Sequence, residues 1–230
     1  MIVLLIVALA FAWSMGAHYT GACMGMPRAL GALSAWQALA IMAPLALVGA
    51  ALASHGVEHT VARRLTERTL GVNAEIVVVG VAFALTTLYT RLKVPTSTIQ
   101  ILVFTLAGTA LGAGAGVRWG TIGLLAIVWV LAPLVAAGLG FVLTRALNRV
   151  PAIARAAEPA GTGEGRSRGA AGSGLLGVGL IVVGAGASFV MGSNDVANAT
   201  GSLVAVHAFS PLVAGAIGGA GLALGVLTWG

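Results

Sequence analysis

The stretch Gly192-Ser193-Asn194-Asp195-Val196-Ala197-Asn198-Ala199-Thr200-Gly201 concentrates oxygen- and nitrogen-bearing side chains within an otherwise apolar sequence. Asp195 is the only acid after Glu164 and lies between two long apolar runs. A carboxylate at membrane depth costs about 2.5–3.5 kcal/mol on insertion scales, so it needs a partner, a cation or a proton. Asn194 and Asn198 are four residues apart and so share a helical face, with Asp195 beside it. Gly192 and Ser193 predict a break in the helix, which would leave free N–H groups aimed at an anion. Ser193 and Thr200 add hydroxyls. The plain alternative is a polar loop with a solvated Asp195, but a loop needs neither the Asn pair nor the Ala and Gly spacing.

A second constellation is Val94-Pro95-Thr96-Ser97-Thr98-Ile99-Gln100. The hydroxyls of Thr96, Ser97 and Thr98 can donate to an oxyanion or accept from a cation. Pro95 suits the first turn of a helix, where its missing N–H does no harm, and Gln100 lies one turn beyond Thr96. The competing reading has these hydroxyls bonding back within a membrane helix. A lone carboxylate beside an anion site repels its ligand unless a cation lies between them or the acid is protonated. Either remedy makes a coupling device: sodium on the oxygens of Asp195, Asn194 and Asn198, or a proton on Asp195. No metal site or cofactor is expected. His55, Glu58 and His59 have ligand chemistry but read as a solvated loop. A single Asp195 cannot form an aspartyl dyad, and no enzyme is expected.

The elements that must hold these residues are membrane helices. The chain has 230 residues, 59% of them hydrophobic, with only 12 Lys+Arg and 6 Asp+Glu. A soluble domain carries about 25% charged residues, so a soluble enzyme, a nucleic-acid binder and a disordered chain are excluded. Continuous apolar runs between charges are long enough for helices of about 20 residues, and they lack the alternation of a β-barrel. Helices are predicted at about 2–16, 36–54, 74–90, 119–146, 174–192 and 209–229. Two glycine-interrupted stretches, 17–35 and 94–117, read as half-helices or re-entrant hairpins, tolerated at membrane depth only where protein or a wet cavity surrounds them. Residues 147–173, rich in Gly, Ala and Arg, read as a flexible cytoplasmic linker. If 94–117 is re-entrant, the loop of Arg63, Arg64 and Arg68 lies on the same side, and this is the favoured option. Trp13, Trp36, Trp119 and Trp229 read as interfacial anchors, Trp129 as packing. Glu75, Arg91, Lys93 and Arg118 read as markers of span ends.

The chain also repeats itself. Met15-Gly16-Ala17-His18-Tyr19 through Gly25 aligns with Met191-Gly192-Ser193-Asn194-Asp195 through Gly201, and interrupted helices in matching halves are the pattern of secondary transporters. This gives a first transmembrane repeat at 1–146, the linker at 147–173, and the start of a second repeat at 174–230. On these motifs the chain resembles the inorganic phosphate transporter (phosphate permease) family, from about residue 8 to 230. The resemblance implies an all-α integral membrane protein of the cell membrane, built as an inverted-repeat secondary transporter with re-entrant or broken helices. It implies import of inorganic phosphate, free or as a metal complex, by symport with sodium or protons. Thr96, Ser97, Thr98, Gln100, Ser193, Asn194 and Thr200 would then bind phosphate, while Asp195, Asn194 and Asn198 couple the cation.

Two departures from the family pattern matter. His18 and Tyr19 stand where the second repeat has Asn194 and Asp195, and read as substitute donors or, the favoured option, as the remnant of a lost site. The second repeat reads as incomplete, so a homo-oligomer or a second chain completing the fold is expected, and a partner-dependent or transport-dead subunit is the alternative. The small-residue face of 209–229, Gly215 through Gly225, would then await a neighbour. Sulfate is an alternative substrate, since the residues do not separate two tetrahedral oxyanions.

If the hydroxyl trio holds the anion, replacing Thr96, Ser97 and Thr98 together with Ala or Val raises half-saturating phosphate by about tenfold or more, because bonds to charged groups are worth roughly 1.5–3 kcal/mol each. An unchanged value in a phosphate uptake assay would return the trio to a structural role.

Overall fold

A computed structural model describes residues 1–54, 56, 65–150 and 174–230. His55, Glu58, His59, Arg63, Arg64 and most of the linker lie outside this set. The described chain forms seven helices: α1 (Ile2–Ala29), α2 (Ala35–Ala53), α3 (Val72–Arg91), α4 (Thr98–Gly112), α5 (Trp119–Leu147), α6 (Leu175–Ala205) and α7 (Pro211–Trp229). All but α4 are long and apolar enough to cross a membrane, and among the described residues the only β pairing is an isolated bridge between Thr66 and Val117. This is an all-α, multi-pass membrane protein. Local sequence sets several boundaries. Ser34 and Gln37 form a reciprocal capping box at the start of α2, and Ser210 with Pro211 opens α7.

Two expected breaks do not occur. α1 runs without interruption through Gly16, Gly21 and Gly25, and α6 runs through Gly192 and Ser193. These glycines serve close approach between helices instead. A Cβ on Gly192 would strike the backbone of Ala46 in α2, and one on Gly49 would strike that of Phe189 in α6. Gly16 and Gly225 do the same for α1 and α7, against the backbones of Leu222 and Trp13. With side chains absent at the crossings, the helix backbones touch and dispersion contact is continuous. α1, α2, α6 and α7 therefore form a tightly crossed core in which α1 and α2 each pack on both α6 and α7.

The small-residue face of α7 is consequently not vacant. Gly215 meets Ala50 and Ser54, Gly218 meets Val196 and Thr200, and Gly221 meets Leu9 and Ala12. Trp13 is also corrected. It sits in the middle of α1, stacks on Trp229 at 5.1 Å between ring centroids and donates its indole N–H to Thr228 Oγ1 at 2.8 Å. Trp36 and Trp119 are exposed at the starts of their helices, and Trp129 packs against Phe104.

α3 and α4 form a hairpin laid against α1 and α6. Its two outer ends are tied together: Arg68 N–H donates to Ala115 O at 3.1 Å, and Arg118 N–H to Leu65 O at 3.0 Å. The Arg118 guanidinium adds a bond to Thr66 O at 2.9 Å. The turn after α4 uses Gly114 and Gly116 at φ 65° and 75°, a conformation that disfavours side chains. The start of α5 is thus pinned beside Arg68. At 1.5 Å per residue, the 29 residues of α5 carry Asn148 roughly 44 Å away. Arg68 and Asn148 therefore lie at opposite ends of α5, at odds with the favoured sequence reading. Along α5 only Ile122 is buried.

Substituting Gly192 or Gly225 with Val forces the α2–α6 or α1–α7 crossing apart and destabilises the protein by about 1–3 kcal/mol or more, as overpacking does. Thermal unfolding in detergent checks this, with Gly138→Ala on α5, where a Cβ meets nothing, expected to cause no loss.

Candidate substrate site

The short helix α4 is what makes a site. Its 15 residues span about 22 Å, less than the roughly 30 Å of the hydrocarbon core. Its N-terminal end therefore stops at depth, where unsatisfied backbone N–H groups must be met by protein or ligand. Ser97 caps it, its Oγ accepting from Gln100 N–H at 3.4 Å. The other partners come from α1 and α6, and they are the two signature segments.

From α1, Tyr19 OH lies 2.8 Å from Thr98 Oγ1 and accepts from Thr98 N–H at 3.5 Å. His18 Nδ1 lies 2.8 Å from Thr90 Oγ1. That hydroxyl donates to Thr86 O at 2.7 Å, so its proton is committed and His18 Nδ1 is the donor. The other ring nitrogen, Nε2, faces both Thr96 N–H at 3.3 Å and Thr96 O at 3.1 Å. A neutral ring accepts from the N–H, and a protonated ring donates to the carbonyl. His18 thus keeps a partner on Thr96 in both protonation states. His18 and Tyr19 tether the hairpin tip to α1.

From α6, Asn198 Nδ2 donates to Thr98 Oγ1 and to Asp195 Oδ1, each at 3.4 Å. Asn198 is buried and Asp195 half-buried. Two chains of polar contacts therefore meet the hairpin tip, one from Thr90 through His18 to Thr96, the other from Tyr19 through Thr98 and Asn198 to Asp195.

The remaining expected residues fall elsewhere. Asn194 is exposed and does not join the cluster. α4 lies alongside α6 from Thr98 opposite Asn198 down to Leu106 near Ala205, so one turn above Asn198 the half-helix has ended and nothing covers Asn194. Ser193 Oγ bonds back to Val190 O at 2.8 Å. Thr200 is buried, bonds back to Val196 O at 3.0 Å and sets its methyl against Gly218. Gln100 contributes its backbone N–H to the Ser97 cap.

Two adjoining chambers open beside the cluster. One, about 440 Å³, is lined by His18, Tyr19, Thr90, Lys93, Pro95 and Thr96. The other, about 520 Å³, is lined by Thr20, Arg28 and Lys93 among others. Lys93, which borders both, sits at φ 56°, after the end of α3. Its position three residues before Thr96 was a signal, but charge at the end of an apolar run reads equally as a span marker. Thr90 was missed because a threonine inside a helix has a local use for its hydroxyl. Chemically, the first chamber offers one ammonium and the Thr96 hydroxyl, just ahead of the N-terminal end of α4, donors suited to a tetrahedral oxyanion.

A family model described as the phosphate transporter family matches residues 15–230. A solved structure, described as the sodium-dependent phosphate transporter, superposes with a TM-score of 0.78 at 20% sequence identity, covering 99% of this chain and 75% of that one. At that identity the likeness bears on the fold alone. No curated protein matches.

Removing the His18 tether loosens the hairpin tip. His18→Ala is expected to raise amide hydrogen exchange around Thr96–Thr98 by about fivefold, the equivalent of roughly 1 kcal/mol for one hydrogen bond. Exchange mass spectrometry on the peptide spanning Lys93–Gln100 checks this, and unchanged protection would show the tether to be idle.

Proposed function

The chain belongs to the phosphate transporter family, and from that premise we propose that it moves inorganic phosphate by symport with a cation, with the anion in the chamber beside α4 and the cation at Asp195 and Asn198. The observation that carries this reading is the hydrogen-bonded cluster in which Tyr19, Thr98, Asn198 and Asp195 meet. It joins an anion-donor surface to a carboxylate across the end of one half-helix.

On this reading Lys93 and Thr96 hold phosphate oxygens, with the first-turn amides of α4 adding partial positive charge. Ser97 keeps its own hydroxyl proton to donate, since its oxygen already accepts from Gln100. Asp195 opposes phosphate entry when it is charged and alone. A sodium ion on Asp195, or a proton bound to it, removes that repulsion. The ligands then favour each other's binding by the same factor, which is the thermodynamic requirement for coupling. His18, whose ring stays bonded to Thr96 in either protonation state, holds the tip in place during this exchange. Tyr19 and Asn198 position Thr98 between the two subsites.

Uptake of labelled phosphate into vesicles containing the protein, driven in turn by an inward sodium or proton gradient, tests the proposal. Wild-type uptake is expected to rise with one of the gradients, and Asp195→Asn is expected to abolish that stimulation while the protein still inserts. Gradient-stimulated uptake undiminished in Asp195→Asn would sink the coupling role.

A further inference from the structure

The larger of the two chambers, about 520 Å³, has walls that the reading above leaves without a task. One wall is a single face of α1, on which Ala17, Gly21, Met24, Gly25 and Arg28 follow at helical spacing. At 1.5 Å per residue this stripe runs about 16 Å, from beside His18 to the last turn of the helix. Across from it stand Ala35, Ala38 and Leu39 of α2, and Gly230 closes one side. Ala17, Gly21 and Lys93 also line the smaller chamber. The larger chamber is therefore a trough that leads from Arg28 to the Thr96 chamber.

Packing does not account for its glycines. Gly16 and Gly225 press on neighbouring backbone, but a Cβ on Gly21 or Gly25 would meet nothing within 4 Å. Glycine is also a poor helix former, so at these two positions it keeps a width that a side chain would fill. The cations are unpaired as well. Neither the Arg28 nor the Lys93 side chain forms a hydrogen bond or ion pair with any described residue, and no Asp or Glu lines the trough. Lys93 sits at φ 56°, where a glycine would be less strained. Thr20, the remaining polar side chain, donates its hydroxyl to Gly16 O at 2.8 Å and has no hydrogen to offer. Two unpaired positive charges on otherwise apolar walls focus their field on an anion. A guanidinium presents paired N–H groups to a tetrahedral oxyanion, whereas an ammonium acts as a point charge.

We propose that this trough is a capture site for free phosphate, in which Arg28 binds the anion first and Lys93 passes it to the Thr96 chamber. The identity of the anion rests on the phosphate reading above. The trough's selectivity for negative charge rests on Arg28, Lys93 and the open glycine face.

Thiol labelling tests the trough without transport. Cys23 is the only cysteine and is buried, so Gly25→Cys supplies a reporter in open space, with wild type as the unlabelled control. In detergent at low ionic strength, a methanethiosulfonate carrying a sulfonate is expected to react about tenfold faster than one carrying a trimethylammonium group. Inorganic phosphate is expected to slow the reaction, and adding Arg28→Gln to equalise the two reagents. In vesicle uptake, Arg28→Gln is expected to raise half-saturating phosphate about threefold or more at low salt. The maximal rate should not change, and the difference should fade as salt rises. Gly21→Leu, which fills the trough, is expected to lower uptake at subsaturating phosphate by about fivefold without lowering thermal stability. Equal labelling rates in Gly25→Cys, or a preference that survives Arg28→Gln, would overturn the capture site. So would labelling in nanodiscs that phosphatidylglycerol blocks and inorganic phosphate does not, which would give the two cations to a lipid headgroup. Phosphate-protected labelling in a protein that shows no gradient-driven uptake would count against the transport reading and leave the capture site standing.

Discussion

A helix that ends inside a membrane leaves amide hydrogens where no water can reach them, and the central architecture of this protein answers that one constraint. α4 begins at Thr98, and of its first-turn amides Thr98 N–H is met by Tyr19 OH from α1 and Gln100 N–H by the adjacent Ser97 Oγ, while Asn198 from α6 donates to the Thr98 hydroxyl. The backbone of the preceding Thr96 is held by His18. The same partners that satisfy the helix end define a polar pocket beside it. Structural need and binding chemistry are met by one set of atoms.

Meeting that constraint requires α1 and α6 to be held in register at the tip of the α3–α4 hairpin. Glycine does this work at the crossings. Gly16 and Gly225 bring α1 against α7, and Gly49 and Gly192 bring α2 against α6. Small residues allow such contact in surroundings where burial from lipid supplies little driving force, so packing must supply it. The tie between the segment after Leu65 and the turn before Trp119 closes the hairpin at its far end. The tip is thereby fixed from two directions: by side chains at depth and by backbone bonds at the rim.

Charge is distributed unevenly along this frame. Cationic Lys93 and Arg28 border the chambers. Asp195 and Glu75 lie on the α6 side, separated by Asn198.

Much of this was legible in the sequence. The scarcity of charge determines a membrane protein, the apolar runs determine the helices, and Thr96–Thr98 with Asn198 and Asp195 could be singled out as the chemically loaded positions. Composition and short-range spacing suffice for these, since membrane insertion and helix formation are local problems. Other features depended on neighbours distant in sequence. A glycine can break a helix or let another helix approach, and only the presence of Ala46 against Gly192 decides which. That His18 and Tyr19 hold the hairpin tip is visible only once the tip is placed beside them. Asn194 shares a face with Asn198 in sequence but not its surroundings, because α4 ends between their levels. Glu75 looks solvated at the edge of an apolar run and becomes buried when α4 and α6 close over it. Residue type and period are intrinsic to the chain, whereas burial and partnership arise only when helices from separate parts of it meet.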